Sequence, residues 1–239
     1  MSRHRRCLRP PTLFLAGVLL LAPACRSTAP TTTATDWREG VASLDRPLPG
    51  NLAALYRLRS GSSGWLRLSV LTRAEAGRMT VSGGFGSALS LVAWDGGEVT
   101  VADLRRGCRV AAEDASAVLG LSRLPMPQAI EILAGRLPRS ANSRLEPLGG
   151  GVFRVEGRGW SCRLQLAASP WRVVHVEGPA GPGRPRWRID LERHTGSLPG
   201  RLEIDTASGK HVVLELVRLE WKSGNELPPL PALPECPEG

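Results

Sequence analysis

Alternation of apolar and polar residues, repeated in short segments over most of the chain, constrains the fold more than any other feature. In the clearest segment, Leu66, Leu68 and Val70 alternate with polar or amphipathic neighbours. This period of two is typical of a β-strand that is buried on one side only. The same alternation recurs in residues 98–101, 160–166, 186–192 and 201–205. The chain is therefore predicted to be mainly β and, because each strand has one wet face, antiparallel.

Glycine-rich turns at 149–151, 178–185 and 207–209 divide these segments into separate strands. About eight to eleven strands are expected, and a sheet of that size usually curls. A curled sheet has a broad apolar concave face. Either side chains, including most of the tryptophans, close that concavity, or a ligand-sized apolar cavity remains.

Residues 79–138 begin as alternating strands and then leave the β pattern. After Cys108 the apolar period changes, and two short helices are predicted over residues 112–121 and 127–134. Pro127 suits the first turn of the second helix, and Gly135 suits its end. Strands resume from about residue 143. The sequence thus predicts a sheet with a helical pair as lid or plug.

Two strand details follow from local residues. Asp95-Gly96-Gly97 is a hairpin signal. The last strand, residues 211–222, changes its apolar face midway, which predicts a β-bulge. Its apolar residues fall in two sets: Leu214 and Leu216 on one side, and Val217, Leu219 and Trp221 on the other.

The two ends of the chain differ from its middle. A basic start and a short apolar run predict a signal peptide over residues 1–24, and Ala22-Pro23-Ala24-Cys25 is similar to a lipobox with Cys25 as the lipidated residue. The alternative is an ordinary signal peptide cleaved after Ala24. Residues 25–36 are expected to form a flexible tether, residues 37–222 the folded domain, and the proline-rich residues 223–239 an extended tail on the surface. Residues 37–48 are expected to be a short helix or a packed arm.

The charge of the chain is modestly positive once the signal peptide is removed. The sequence has 31 Lys and Arg against 22 Asp and Glu. Four of the arginines lie in the signal peptide, which leaves 27 against 22, or a net charge of +5. No basic run resembles a nucleic-acid patch, so no nucleic-acid partner is expected. Attraction to anionic headgroups is consistent with this charge.

The five cysteines limit which disulfides and metal sites can form. Cys7 lies in the signal peptide and Cys25 is assigned to lipid, which leaves Cys108, Cys162 and Cys236 in an oxidising compartment. If their strands are neighbours, Cys108 and Cys162 form a disulfide; the alternative is two free buried thiols. No His or Cys pair has the spacing of metal ligands, so no metal or other cofactor is expected.

The motifs of common enzymes are missing from the sequence. It contains no G-x-S-x-G, H-E-x-x-H or phosphate-binding G-x-x-x-x-G-K sequence. Cys162 and His175 lie in neighbouring strand-like segments and are the one conceivable nucleophile pair. The chain is therefore not expected to be an enzyme, and a lipid esterase is the minor alternative.

Several short motifs resemble the lipoprotein-localisation family that includes LolA and the outer-membrane receptor LolB. Each is common, but their order and spacing over residues 50–222 are moderately specific. They are the turn Gly84-Phe85-Gly86-Ser87, the strand SALSLVAWDGGEVTVAD, the helix start Ala112-Glu113-Asp114-Ala115, the pair Gly120-Leu121, the segments Leu124-Pro125-Met126-Pro127 and LAGRLP (133–138), and the final hairpin from Leu198 to Ile204.

The resemblance implies a half-open antiparallel β-barrel in which the helical pair covers a cavity for acyl chains. Phe85 would be the exposed apolar tip that enters a membrane; it stands where the family has Leu, and Gly84 where the family has Pro. The alternative is that Phe85 packs under a neighbouring loop. The residues expected to line the acyl cavity are Leu66, Leu68, Val70, Leu89, Leu91, Val99, Val101, Val118, Ile130, Leu133, Leu164, Trp187 and Ile189.

The expected role is that of a monomeric outer-membrane lipoprotein that faces the periplasm. Its expected partners are the acyl chains of lipoproteins or another lipid, the membrane that holds its anchor, and a periplasmic carrier protein. The rival interpretation is a non-transporting envelope scaffold whose barrel is fully packed, because shared architecture does not establish activity.

Overall fold

The computed structural model describes residues 34–46, 51–62, 64–73, 76–95, 98–110, 121, 124–179, 187–222 and 227–237. These residues belong to one compact unit, Thr33–Gly239. The predicted signal peptide, Cys25, nearly all of the tether and residues 112–120 of the first predicted helix, with Val118, lie outside the described residues. The same holds for Gly96 and Gly97 of the predicted hairpin turn.

Two helices and thirteen strands make up the described part of the chain. In chain order they are α1 (Ala34–Leu44), β1 (Asn51–Ser60), β2 (Leu66–Arg73), β3 (Ala76–Ser82), β4 (Ala88–Asp95), β5 (Glu98–Asp103), β6 (Cys108–Val110), α2 (Met126–Leu133), β7 (Arg144–Gly149), β8 (Val152–Gly157), β9 (Trp160–Ala167), β10 (Arg172–Glu177), β11 (Arg188–Glu192), β12 (Arg201–Asp205) and β13 (His211–Lys222).

All thirteen strands form one antiparallel sheet. Its order is β6-β5-β4-β3-β2-β1-β13-β12-β11-β10-β9-β8-β7. Because β1 pairs with β13, the two halves of the chain join in the middle, and β6 and β7 are left as separate edges. The fold is therefore a half-open β-barrel with helices against its concave face, as the sequence predicts. Short strands such as β6 hold too few residues to show alternation, which explains why more strands form than expected.

Helix α2 forms where the sequence places it and plugs the concave face. Pro127 occupies its first turn, and Gly135 follows it with φ of +69°, in the left-handed region. The Arg136 N–H then donates to the Glu131 carbonyl at 2.8 Å, which closes the helix end. A Cβ at residue 135 would lie 2.1 Å from the Ser197 carbonyl oxygen, so only glycine fits there.

Tryptophan side chains fill the concave face by packing over glycines. In three cases the glycine is on the adjoining strand or at its end, where a Cβ would lie 2.0 to 2.3 Å from an indole atom. A missing Cβ gives a large ring room to lie flat on the neighbouring backbone. These pairs are Gly77 with Trp94, Gly157 with Trp160, and Gly178 with Trp187.

The β-bulge predicted in the last strand is confirmed. Leu55 pairs with Arg218 but Tyr56 pairs with Leu216, so Val217 is the extra residue. The bulge returns Leu219 to the concave face, where it packs against the core.

Leu91 is a correction to the predicted cavity lining. It is fully buried, but it pairs with Thr80 and Ala102, on the convex side of β4. Its neighbours Val92 and Trp94 face the core instead. Both faces of β4 are apolar, and alternation alone does not identify the face that turns inward.

The predicted disulfide between Cys108 and Cys162 is wrong. Cys108 is bonded to Cys236, and Cys162 is a free, buried thiol. Nine strands lie between β6 and β9 in the sheet order, so Cys108 and Cys162 are not neighbours.

The C-terminal tail crosses the convex face before it reaches the edge strand β6. The Arg78 guanidinium donates to the carbonyl oxygens of Pro228 and Pro229 at 3.4 Å. Glu235 then forms a parallel bridge with Arg109 of β6. The described tail residues, 227–237, are extended on the surface, as the sequence predicts.

Candidate functional site

The concave face beneath α2 is packed in the described part of the chain. Tyr56 lies there fully buried, and its hydroxyl donates to the Leu133 carbonyl at 3.4 Å. Burial raises the pKa of Tyr56 well above its usual range, which keeps the hydroxyl neutral. Seven of the expected lining residues belong to this single core: Leu68, Val70, Ile130, Leu133, Leu164, Trp187 and Ile189.

The other expected lining residues lie at the margin. Leu66, Val99 and Val101 are partly buried and pack against the edge of the core. Leu89 is the extra residue of a bulge in β4, and with Val101 it borders a shallow hollow of about 280 Å³. Ten of the predicted lining residues are thus brought together on one face, mostly as packed core, whereas Leu89 lies in a bulge and Leu91 faces the other way.

An apolar cleft lies instead between α1 and the β7–β8 hairpin. Its volume is about 650 Å³, within the range of small-molecule sites. The apolar side chains that line it are Trp37, Val41, Ala42, Leu145, Pro147, Val152 and Phe153, with the turn Gly149–Gly151 at one side. Arg38 and Asp45 are the charged residues at its border. We call this the α1 cleft.

Aromatic packing fixes the wall of the α1 cleft. The Trp37 ring lies 6.0 Å from Phe153 in an edge-to-face arrangement and 5.1 Å from Trp171. Gly151 has φ of +79°, and a Cβ there would lie 2.3 Å from Trp37. Gly40 leaves room for Trp171 in the same way. The helix is therefore seated on the hairpin by aromatic contacts that need two glycines.

Polar contacts hold the C-terminal end of α1 against α2. The Leu137 N–H donates to the Leu44 carbonyl at 3.4 Å, and the Arg136 guanidinium donates to the Ser43 carbonyl at 3.2 Å. Arg139 pairs with Asp45 at 3.7 Å. Leu44 itself is fully buried. The C-terminal end of α1 is thus anchored, while residues along the helix from Trp37 to Ala42 border the cleft.

Glu131 of α2 has a perturbed carboxyl group. Burial, opposed by Arg136 and reinforced by Asp45, raises its pKa to about 7. A carboxyl group that changes charge near neutral pH therefore lies near the contact between α1 and α2.

Phe85 lies at the tip of the β3–β4 turn, and its side chain is fully exposed. The turn is closed by hydrogen bonds from Gly83 N–H to the Ser87 carbonyl at 2.9 Å and from Gly86 N–H to the Gly83 carbonyl at 3.0 Å. The β3–β4 turn and the β7–β8 turn lie at opposite ends of the strands, because every neighbouring pair is antiparallel. The exposed tip and the α1 cleft are therefore not brought together.

The conceivable nucleophile pair does not form. Cys162 faces the core, whereas His175 pairs across the ladder with Gln165 on the convex face. Burial raises the pKa of the Cys162 thiol to about 12, so it stays protonated. His175 instead contacts Asp190, with 2.7 Å between Nδ1 and the carboxylate oxygen.

Neither a metal-binding cluster nor a helix that could span a membrane occurs in the described ranges. No group of three or more His, Cys, Asp and Glu residues there is placed to hold a metal ion. None of the helices there combines the length and apolarity that a bilayer crossing needs.

The residues of the α1 cleft were missed by sequence reasoning. Trp37 was placed in a short helix or arm with no role, and Phe153 was one apolar strand residue among many. The signal that was present is Gly151, the last glycine of the Gly149-Gly150-Gly151 turn: a Cβ there would meet Trp37, whereas Gly149 and Gly150 have no atom within 4 Å.

The described chain is therefore a half-open antiparallel barrel with helices on its concave face and an apolar cleft at the edge of α1. A LolA superfamily protein from Nitrosomonas europaea has a similar solved structure, with a TM-score of 0.55 and 15% identity over 81% of this chain and 96% of that one. An uncharacterized conserved protein from Thermus thermophilus aligns at a TM-score of 0.37 and 14% identity, over 80% and 89%. At such identities the likeness to the first protein shows the fold alone. No protein-family model matches the chain, and no curated protein sequence matches it significantly.

Proposed function

We propose that this protein is a lipid-anchored envelope protein that binds acyl chains in the α1 cleft and helps to insert or localise lipoproteins, in a role similar to that of LolB. The observation that carries the proposal is the α1 cleft itself, an apolar volume of about 650 Å³. The LolA-type fold of the Nitrosomonas europaea protein supports it.

Binding in such a site is a partition between apolar environments. Each methylene that leaves water contributes about 0.8 kcal/mol, so a chain of about sixteen carbons gains on the order of 10 kcal/mol. The α1 cleft offers aromatic and aliphatic surface, with charges only at its border. It thus suits an acyl chain whose head group stays outside, and a bilayer would compete well for the same chain.

The anchored end of α1 makes the helix a natural gate. Leu44 is fixed in the core, whereas Trp37 borders the cleft near the start of the helix. A small tilt about Leu44 would widen the cleft by separating Trp37 from Phe153 and Trp171, without breaking the barrel. Under this proposal the tether leads directly into the part of the helix that moves, since residues 34–36, which the sequence assigns to the tether, are the first turn of α1.

Lipid retention tests the proposal. Residues 33–239, which form one compact unit, are purified from membrane-containing cells and analysed by native mass spectrometry. We expect retained fatty acid or phospholipid. Ala42→Phe, which adds a ring at the cleft, is expected to abolish retention, and Ala42→Gln at the same exposed position is the matched control. A wild-type domain that is always empty contradicts the proposal.

A packed envelope scaffold is the second candidate, and the filled concave face beneath α2 favours it. It predicts no retained lipid and no effect of Ala42→Phe beyond a change in stability. The same experiment therefore separates the two functions.

The location is part of the proposal. Cys25 is the proposed lipidation site, the outer membrane the proposed residence, and a periplasmic carrier protein the proposed donor of cargo to this monomeric protein. Labelled palmitate should enter the wild-type protein but not Cys25→Ala. Incorporation of palmitate into Cys25→Ala would show that Cys25 is not the lipidation site.

A further inference from the structure

Three arginines and one tryptophan cluster on the convex face of β1 and β2. Arg57 lies directly opposite Arg67 in the ladder, and all three arginines are exposed. The Trp65 ring centroid is 4.3 Å from the Arg57 guanidinium carbon and 5.1 Å from that of Arg59. We call these four residues the arginine patch.

The charge of the arginine patch is not neutralised within the described part of the chain. No carboxylate there forms an ion pair with Arg57, Arg59 or Arg67. Glu215, the residue opposite Arg57 on β13, pairs instead with Arg201 at 3.4 Å and with Arg193 at 3.7 Å.

Several other arginines on the convex face have acidic partners. Arg163 pairs with Glu177 at 3.3 Å, and Arg188 pairs with Asp190 at 3.3 Å. Like charges directly opposite each other destabilise a sheet. The Arg57–Arg67 pair is therefore a local cost that a bound anionic surface would offset.

The arginine patch lies at the same end of the barrel as Phe85. Arg67 pairs with Ser82, the last residue of β3, and the Phe85 turn follows immediately. Because β2 runs antiparallel to β3, Trp65 lies further toward the turn than Arg67 does. An exposed apolar tip beside a tryptophan and unpaired arginines has the composition of a membrane-interface contact.

We infer that the arginine patch and the Phe85 turn together form a docking surface for an anionic bilayer. The guanidinium groups contact lipid phosphates, for which their planar donors are well suited, while Phe85 enters the interface. The inference shares the membrane contact of the proposed function but does not depend on lipid in the α1 cleft. It adds a preference for one kind of lipid surface.

Vesicle sedimentation of residues 33–239 tests the inference, with phosphatidylcholine vesicles alone or mixed with phosphatidylglycerol. The test variant is Arg57→Gln/Arg59→Gln/Arg67→Gln. The matched control, Arg154→Gln/Arg163→Gln/Arg188→Gln, removes the same number of charges from ion-paired positions on distant convex strands.

The wild type is expected to bind mixed vesicles far better than neutral ones. The test variant should lose roughly 100-fold in partition to mixed vesicles, from about 1 kcal/mol per arginine near an anionic surface, whereas the control keeps most of its binding. If the triple variant is unstable, Arg67→Gln alone should lose about fivefold. Equal loss in both triples, or no preference for mixed vesicles in the wild type, overturns the inference. Lipid retention in the α1 cleft is measured separately, so the two proposals can fail independently.

Discussion

The Cys108–Cys236 disulfide is expected to supply a large part of the domain's stability, because it joins residues 128 positions apart. In the chain-entropy model a closed loop of that length removes about 5 kcal/mol of conformational entropy from the unfolded state, and removal of native disulfides typically costs 2–5 kcal/mol. Cys236→Ser should therefore unfold about 10 °C below the wild type, at roughly 2–4 °C per kcal/mol for a chain of this size.

The assay is thermal and urea unfolding with and without reductant. Reduced wild type should match Cys236→Ser, and Cys162→Ala should keep its sensitivity to reductant because Cys162 is a free thiol. If full reduction, verified by thiol titration, leaves the melting temperature of the wild type unchanged, the tail does not brace the sheet and the reasoning fails.

Three other perturbations have expected outcomes. Since the pKa of Glu131 is raised to about 7, the folded state binds more protons than the unfolded state above pH 4.5, and wild-type stability should fall by about 2 kcal/mol between pH 5 and 8. Urea titrations of Glu131→Gln at the same pH values should lack that fall. An identical fall in the variant would refute the assignment to Glu131. Gly77→Ala should cost about 1–3 kcal/mol of unfolding free energy by overpacking Trp94. The control Gly84→Ala should be neutral, because nothing lies within 4 Å of the added Cβ. Equal effects of the two substitutions would show that the close contact between residue 77 and Trp94 does not matter for stability. Phe85→Glu should leave the melting curve unchanged and weaken binding to neutral and mixed vesicles alike, and unaltered binding would remove Phe85 from the docking surface.

Local patterns in the sequence were enough to predict the main elements of the architecture. Leu66, Leu68 and Val70 alternate because β2 is buried on one face, and that face is the concave one. Helix α2 was predictable because Pro127 and Gly135 each have a conformational preference that acts over one turn. The bulge at Val217 was predictable because a bulge must shift the phase of the alternation.

Contacts between distant segments were beyond the sequence. Cys236 lies in a tail without periodicity, so nothing local indicates that it returns to β6. Leu91 and Val92 are both apolar and both buried, so alternation does not identify the inward face of β4. The α1 cleft depends on the packing of the Trp37 ring on Gly151. This contact joins a helix to a hairpin that lies more than one hundred residues later in the chain.

Quenching of tryptophan fluorescence by brominated palmitate is the most direct measurement of acyl binding in the α1 cleft, since Trp37 lines it. Our account predicts saturable quenching in the wild type, a clearly smaller amplitude in Trp37→Phe, and none above background in Ala42→Phe, with Ala42→Gln equal to the wild type. Absence of saturable quenching in the wild type, or quenching of undiminished amplitude in both Trp37→Phe and Ala42→Phe, would contradict it.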